Sequence, residues 1–480
     1  MSNSLPMPIK VKPYAHQQEA FDFACDKFGL LSPDVLRCRG VALLMEMGCG
    51  KSLTGIAISG ILYQFGEVDR VLVVAPLSIL GVWEEEYEKF AAFPYELVIL
   101  KGTSSKKKEQ IERMKEKCDI MQVVVVNYES AWRLEKELLD FAPDLIIADE
   151  GHKLKENRTS QSKSMHVLGD HAKYKLLLTG TVITGRELDV FSQYRFLDKY
   201  VFGTSFYQFR SRYFDMLGYG NHTPVFRKSM TDEFLRNMHS IAFRVTKQEC
   251  LDLPEITEEV RYVQLEDKCM KLYAELQKES FTEIQGTDVT AVNVLTKLLR
   301  LSQITGGFLT DDDGGCTSVS TAKLDALADI VDSMMADNKK LVIIARFVPE
   351  LDAIQKMLEK KKIQYSVVRG GVKNREEMIH NFQNDPDCKV FVGQIAAAGL
   401  GITLTAASTM VFFSMDYSMS NFDQCKARIH RVSQVNDCHY IYLVCKNTVD
   451  VKVLRALRNK VDLAKSLVDD YRKGYNPFGA

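Results

Sequence analysis

The sequence predicts an α/β protein of two tandem lobes, each a doubly wound parallel sheet, with helical insertions between them. Three observations lead there. Short, almost uninterrupted apolar runs alternate with stretches whose apolar residues recur at helical spacing, and the alternation occurs twice along 480 residues. Runs of that kind are buried on both faces, the situation of a parallel sheet covered by helices. A glycine-rich segment, Gly48-Cys49-Gly50-Lys51-Ser52, follows one such run, and an acidic pair, Asp149-Glu150, closes another. Ligands of these sheets bind outside the carboxyl ends of the strands, where both segments fall.

Taken in order, Val41 to Met45 suits a buried strand, and Ser52 to Phe65 carries Leu53, Ile56, Ala57, Gly60, Ile61 and Tyr63 at helical spacing. The loop therefore opens a helix, as phosphate binding requires: backbone N–H groups cradle the phosphates, Lys51 reaches the β- and γ-phosphates, and Ser52 holds Mg²⁺. It reads Met45-Glu46-Met47-Gly48-Cys49-Gly50-Lys51-Ser52, with Met45 where the general pattern GxxxxGK[ST] has its first glycine. Val71–Ala75, Gln122–Val126, Leu145–Ala148 and Tyr174–Leu178 supply further buried strands. At the end of the third of these runs Asp149 is placed to hold Mg²⁺, and Glu150 to orient or deprotonate an attacking water. The run Lys106-Lys107-Lys108, followed by mixed charge, reads as a solvated helix face, with DNA contact as the minor alternative.

The stretch from Val201 to Ala322 has a different texture. Aromatic and charged residues share helical spacing from Phe206 to Phe214, and Leu253-Pro254-Glu255-Ile256 is an extended break, so insertions and an interlobe linker are expected. Asp311-Asp312-Asp313-Gly314-Gly315 lacks the ligand spacing and terminal Glu of a calcium loop and reads as an acidic turn. The second lobe's strands are Lys340–Ala345, Tyr365–Arg369, Lys389–Gly393, Thr409–Ser414 and His439–Val444. The expected division is residues 1–200 for the first lobe, 201–322 for insertions and linker, 323–455 for the second lobe, and 456–480 for a C-terminal helix packing back on the two-lobe core.

Bulk properties narrow the setting. Sixty-two Lys and Arg against 63 Asp and Glu give a net charge of −1, which argues against a polycationic arm while leaving room for a local basic groove. The 11 Cys form no CxxC pair and no zinc-like cluster, which fits a reducing, cytoplasmic setting. No basic region followed by an apolar core opens the chain, so no signal peptide is expected. Val390 to Met415 is uncharged, but its Gln394, Gly399, Gly401 and repeated Thr and Ser predict strand, loop and strand rather than a membrane span.

Together the ordered motifs resemble those of the Swi/Snf-type ATPases of helicase superfamily two, from about Tyr14 to Leu457. Tyr14-Ala15-His16-Gln17 is similar to that family's adenine-reading Gln motif, and Ala75-Pro76-Leu77-Ser78-Ile79-Leu80-Gly81-Val82-Trp83 to its motif Ia. Val126-Asn127-Tyr128-Glu129 falls where motif Ib would lie. Asp149-Glu150-Gly151-His152 resembles the family's acidic box, and Leu178-Thr179-Gly180-Thr181-Val182-Ile183 its motif III. Phe243-Arg244-Val245-Thr246-Lys247 with Leu253-Pro254 is similar to the interlobe segment, and Arg369-Gly370-Gly371 with Arg375 to the motif IVa region. Ala398 to Thr405 resembles motif V, and Gln424 to Gln434 motif VI. Met45-Glu46 stands where the family more often has Asp-Glu, and Ile402-Thr403 replaces its common Leu-Asn.

The resemblance implies two RecA-like lobes and a DNA-dependent ATPase that translocates on double-stranded DNA, gripping its phosphate backbone between the lobes and displacing or remodelling what is bound there. A strand-separating or annealing helicase acting at forks is the alternative, and an inert DNA-binding scaffold a remoter one. ATP and Mg²⁺ are the implied cofactors, with Gln17, Gly48, Cys49, Gly50, Lys51, Ser52, Leu53, Gly401, Arg428 and Arg431 at the nucleotide, and Ser52 and Asp149 at the metal. Lys51, Asp149, Glu150, Arg428 and Arg431 would carry catalysis. Arg428 and Arg431, expected one helical turn apart, would stabilise the charge that develops on the transferred phosphoryl group. Ser78, Asn127, Thr181, Arg369, Gln394 and Thr403 would meet the DNA backbone, with proteins bound to that DNA as further partners. The implied motor core is a monomer without membrane attachment, in a bacterial or viral cytoplasm, or in the nucleus of a eukaryote.

Overall fold

The computed structural model describes residues 4–31, 38–116, 119–180, 182–183, 186–217, 223–246, 253–285, 291–310, 315–371, 374–398, 402–431 and 433–459. It divides into two compact units, Met1–Leu251 and Asp252–Ala480. Thr181, Gly401, the Asp311–Gly314 turn and everything beyond residue 459 lie outside the described residues, as does the side chain of Ser78.

In the first unit β1 (Gly40–Met45), β2 (Arg70–Ala75), β3 (Tyr95–Ile99), β4 (Met121–Asn127), β5 (Leu145–Asp149) and β6 (Tyr174–Leu178) are separated by helices. A hairpin of β7 (Phe214–Leu217) and β8 (Thr223–Phe226) precedes β9 (Ala242–Val245). The main sheet runs β3-β4-β2-β5-β6-β1-β9, and every pairing in it is parallel. Successive strand residues enter different cores: Val41, Leu43, Val71 and Val73 face one, and Ala42, Leu44, Leu72 and Val74 the other. This two-sided burial is why the strands read as continuous apolar runs.

The second unit repeats the plan with β10 (Ile256–Val263), a small hairpin of β11 (Phe308–Thr310) and β12 (Cys316–Ser318), and then β13 (Leu341–Ala345), β14 (Tyr365–Val368), β15 (Val390–Gln394), β16 (Thr409–Phe412) and β17 (Cys438–Cys445). Its sheet runs β10-β17-β16-β13-β15-β14, again wholly parallel. The two doubly wound sheets expected from the apolar runs are therefore present. Among the described residues no helix is long and apolar enough to cross a membrane, and the uncharged stretch from Val390 resolves into β15 and β16.

Of the strands in the two large sheets, three carry no clear apolar run, β3, β9 and β10, and each is an edge strand. Edges carry charge because one side faces water, as Glu96, Arg244, Glu258 and Glu259 do here, and charge interrupts the apolar run that marks a strand. The middle stretch consequently holds more than helices and linker. Its β9 completes the first sheet and its β10 opens the second, while Phe202, Phe209, Tyr213, Phe214 and Phe234 build an aromatic core against the first unit.

Candidate functional site

The phosphate loop leaves β1 with its five preceding residues buried, so the loop is aimed by a strand held on both faces. Gly48 and Gly50 adopt φ of 88° and 86°, the left-handed region that only glycine enters freely. Gly50 then caps the helix Lys51–Gln64, whose first-turn N–H groups point back along the axis toward the loop. Leu53 sits in that turn with its side chain in the core, so only its backbone is available to a phosphate.

A latch holds the loop from behind. His16 and Gln17, at the start of the helix Ala15–Lys27, both reach the Cys49 carbonyl, His16 Nε2 at 2.9 Å and Gln17 Nε2 at 3.3 Å. Gln17 Oε1 also accepts the Tyr14 N–H at 3.0 Å. Lys51 folds its Nζ onto the Met45 carbonyl at 3.0 Å, where the ammonium stands over the loop.

Opposite, Asp149 and Glu150 end β5. Asp149 is 6 % exposed; its Oδ2 accepts the Trp83 indole N–H at 3.0 Å and its Oδ1 the Glu150 N–H at 2.9 Å. Burial, followed by the adjacent Glu150 charge, pushes the Asp149 carboxyl up to about 7 against the opposing pulls of Lys51 and Trp83. Glu150 has φ of 51°, which turns it out of the strand line, and His152 Nδ1 lies 3.2 Å from its Oε2. Tyr128 donates its hydroxyl to the Asp149 carbonyl at 2.8 Å, and burial raises that phenol well above its ordinary range. Beside the loop, a Cβ placed on Gly180 would lie 3.5 Å from the Met45 carbonyl oxygen and the Glu46 Cα, and Thr179 N–H reaches Leu43 O at 3.2 Å.

These residues fit a nucleotide and its divalent cation. A buried carboxylate that resists ionisation is stabilised by a nearby cation, and one carboxylate with one hydroxyl is the sparse oxygen set of a Mg²⁺ that shares substrate phosphates. Asp149 and Ser52 would hold that ion.

Of the first unit's proposed DNA contacts, Asn127 ends β4 buried, with its Nδ2 donating to Glu129 Oε2 at 2.7 Å. Ser78 lies in a one-turn 3-10 helix, Leu77–Ile79, just beyond β2.

The second unit brings its own group together. Arg428 donates to the Ile402 carbonyl through Nη1 at 3.3 Å, and Arg431 to Thr403 Oγ1 at 2.6 Å, so both arginines lie on the segment that follows residue 401. One expectation is corrected. The helix Met419–Lys426 ends before them, and the arginines occupy successive turns rather than one helical face. The carbonyls of Cys425, Lys426 and Arg431 are instead taken up by the N–H groups of Arg428, His430 and Gln434, and Gln434 Nε2 binds the Thr405, Ala407 and Ile429 carbonyls. On neighbouring strands, Arg369 pairs with Asp352 at 2.6 Å, while Gln394 accepts the Gly370 N–H at 3.1 Å and donates to Arg346 O at 3.3 Å.

Sequence reasoning missed Trp83, Tyr128, His16 and His152 as partners of the site, although all four lie inside segments singled out above. Spacing marks the segments; only the fold shows which of their side chains turn inward.

Two family models match the chain. The SNF2-related domain matches residues 30–306, and the helicase conserved C-terminal domain residues 322–433. An uncharacterised ATP-dependent helicase of Mycoplasma genitalium is 26% identical over 441 residues, covering 90% of this chain and 40% of the relative. The human DNA annealing helicase and endonuclease ZRANB3 is 26% identical over 483 residues, covering 97% and 41% respectively. The chain thus spans about two fifths of these relatives. A solved structure, the Sulfolobus solfataricus SWI2/SNF2 ATPase core in complex with dsDNA, aligns with a TM-score of 0.46 at 24% identity, covering 97% of this chain and 94% of that one.

Proposed function

Because the chain belongs to the SNF2-related family, we propose that it is an ATP-hydrolysing motor that translocates on double-stranded DNA and remodels or displaces what is bound there. The observation that carries this reading is buried Asp149 at the end of β5 with partly exposed Glu150 directly after it, and the Lys51 charge acting on Asp149. In this reading the loop N–H groups and Lys51 hold the triphosphate, and Ser52 and Asp149 would hold a Mg²⁺ that would supply charge neutralisation to it. Glu150, turned out of the strand line, orients the attacking water. Arg428 and Arg431 stabilise the charge that spreads over the transferred phosphoryl oxygens. Thr403, beside Arg431, together with Arg369, Gln394, Ser78, Asn127 and Thr181, touches the phosphate backbone, so binding is salt dependent and weakly sequence specific.

The test compares ATP hydrolysis with and without duplex DNA, and triplex displacement with strand separation, using Lys51→Ala as the control. Duplex-stimulated hydrolysis with displacement of a third strand and no unwinding of a blunt duplex supports the translocase. The name of the human relative favours a second reading, an annealing motor at forks. ATP-dependent rewinding of a bubble without triplex displacement would select it.

A further inference from the structure

The chain passes into the second unit at Leu251 and Asp252, and the first described residues beyond that point are bonded to the turns that carry the arginines. His430 Nε2 lies 3.0 Å from the Pro254 carbonyl. A carbonyl only accepts, so the ring proton is on Nε2. One residue further, the Glu255 N–H donates to Asp437 Oδ1 at 2.9 Å and the Glu255 carbonyl accepts the Cys438 N–H at 2.8 Å. Glu258, on β10, accepts from Lys426 Nζ, from the Tyr442 hydroxyl at 3.0 Å and from Arg458 Nη2 at 3.0 Å. Burial works against the charge of Glu258, yet these donors hold its carboxyl below the usual range.

Lys426 and His430 bracket Arg428, and Arg431 follows His430 directly. The regular helix ends at Lys426; past it the backbone around the arginines is carried by single bonds, Arg428 N–H to the Cys425 carbonyl at 3.0 Å and His430 N–H to the Lys426 carbonyl at 3.4 Å. The bonds to Ile402 and Thr403 set where the guanidinium groups rest; the bonds to Pro254 and Glu258 fasten the backbone that carries them.

We infer that His430 and Lys426 are positioning residues that pin the arginine-bearing turns to the chain segment entering the second unit, so that this segment sets the placement of Arg428 and Arg431. The inference rests on the reading of these arginines as the groups that stabilise the transferred phosphoryl charge. A shift of about an ångström in such a group costs up to roughly a hundredfold in rate, while ground-state binding through other residues is spared.

The experiment uses the full chain and measures ATP affinity with a fluorescent ATP analogue, DNA-stimulated turnover and melting temperature in His430→Ala, His430→Gln, Lys426→Met and Arg431→Ala. His430→Ala is expected to lose roughly ten- to a hundredfold in turnover with ATP affinity within about twofold of the parent. His430→Gln, whose amide nitrogen reaches the same carbonyl, regains most of that turnover, and Lys426→Met shows a smaller loss of the same kind. Parental turnover in His430→Ala beside an inactive Arg431→Ala overturns the inference and leaves the arginine reading standing. Parental turnover in Arg431→Ala overturns both. Equal deficits in the Ala and Gln variants, or a parallel fall in affinity and turnover, also overturn it. Should His430→Ala not fold, His430→Gln and Lys426→Met decide: a Gln variant as inactive as Arg431→Ala, or a Lys426→Met variant with parental turnover, rejects the tether.

Discussion

The indole N–H of Trp83 donates to Oδ2 of Asp149 over 3.0 Å, with Trp83 only 1 % exposed. This bond fixes the carboxylate plane from behind and leaves it facing the phosphate loop. Trp83→Phe removes the donor while keeping most of the buried volume, so ATP turnover is expected to require several-fold more Mg²⁺. A Mg²⁺ titration followed by fluorescent-nucleotide binding checks it, and an unchanged Mg²⁺ requirement would remove Trp83 from the site.

Lys51→Ala should abolish ATP turnover by removing the cation over the phosphates, whereas Glu150→Gln should still bind ATP and fail to hydrolyse it. Near-parental turnover in purified Glu150→Gln would overturn the assignment of the water-orienting group.

Gly50→Ala places a Cβ at φ 86° and 2.2 Å from Gln17 Nε2. The backbone cost alone is about 1–2 kcal/mol, and the latch on Cys49 must open to make room. ATP affinity is expected to fall together with melting temperature; a variant that binds ATP normally would show that the latch is dispensable.

Arg431→Ala should lower turnover about a thousandfold with much smaller loss of ATP affinity. Arg428 is 5 % exposed and its Nη1 donates to the Ile402 carbonyl at 3.3 Å, so Arg428→Ala should lose stability as well as turnover. Thermal melts beside turnover separate the two effects.

A pH effect is expected within the second unit. Burial raises the Glu350 carboxyl from 4.5 to about 7, although Ser414, Phe347 N–H, Lys323 and Arg346 N–H favour its charge. Between those values the unfolded chain has released a proton that the folded chain retains, so stability falls as pH rises, by up to about 1.4 kcal/mol per unit. Glu350→Gln should flatten the melting temperature across that window. An unaltered pH slope in the variant would assign it to another group.

How far the sequence could be read depended on burial. Strands covered on both faces, such as β1, β2, β5 and β13, announce themselves as apolar runs, and the loop and acidic pair follow directly from their ends. Edge strands such as β10, with Glu258, Glu259 and Arg261, carry a pattern that also suits an exposed linker. The three-residue spacing of Arg428 and Arg431 suits a helical face, whereas the helix stops at Lys426 and the guanidinium groups bond to Ile402 and Thr403, residues distant in sequence. Partners such as Trp83 and Asp149, 66 positions apart, were invisible for the same reason.

The place of β10 in its sheet also bears on how the chain is made. The first sheet has all its strands once Val245 has been synthesised, whereas β10 pairs along its whole length with β17, whose last residue is Cys445. From the ribosome outward, β10 therefore emerges long before the strand it will join, and the second sheet closes last at its earliest member. The carboxylates of Glu258 and Glu259 keep that waiting strand hydrated and discourage pairing with other nascent chains. The arrival of Lys426 and Arg458 then supplies the cations, and that of His439 a ring nitrogen beside Glu259, that let the same carboxylates settle against the finished sheet.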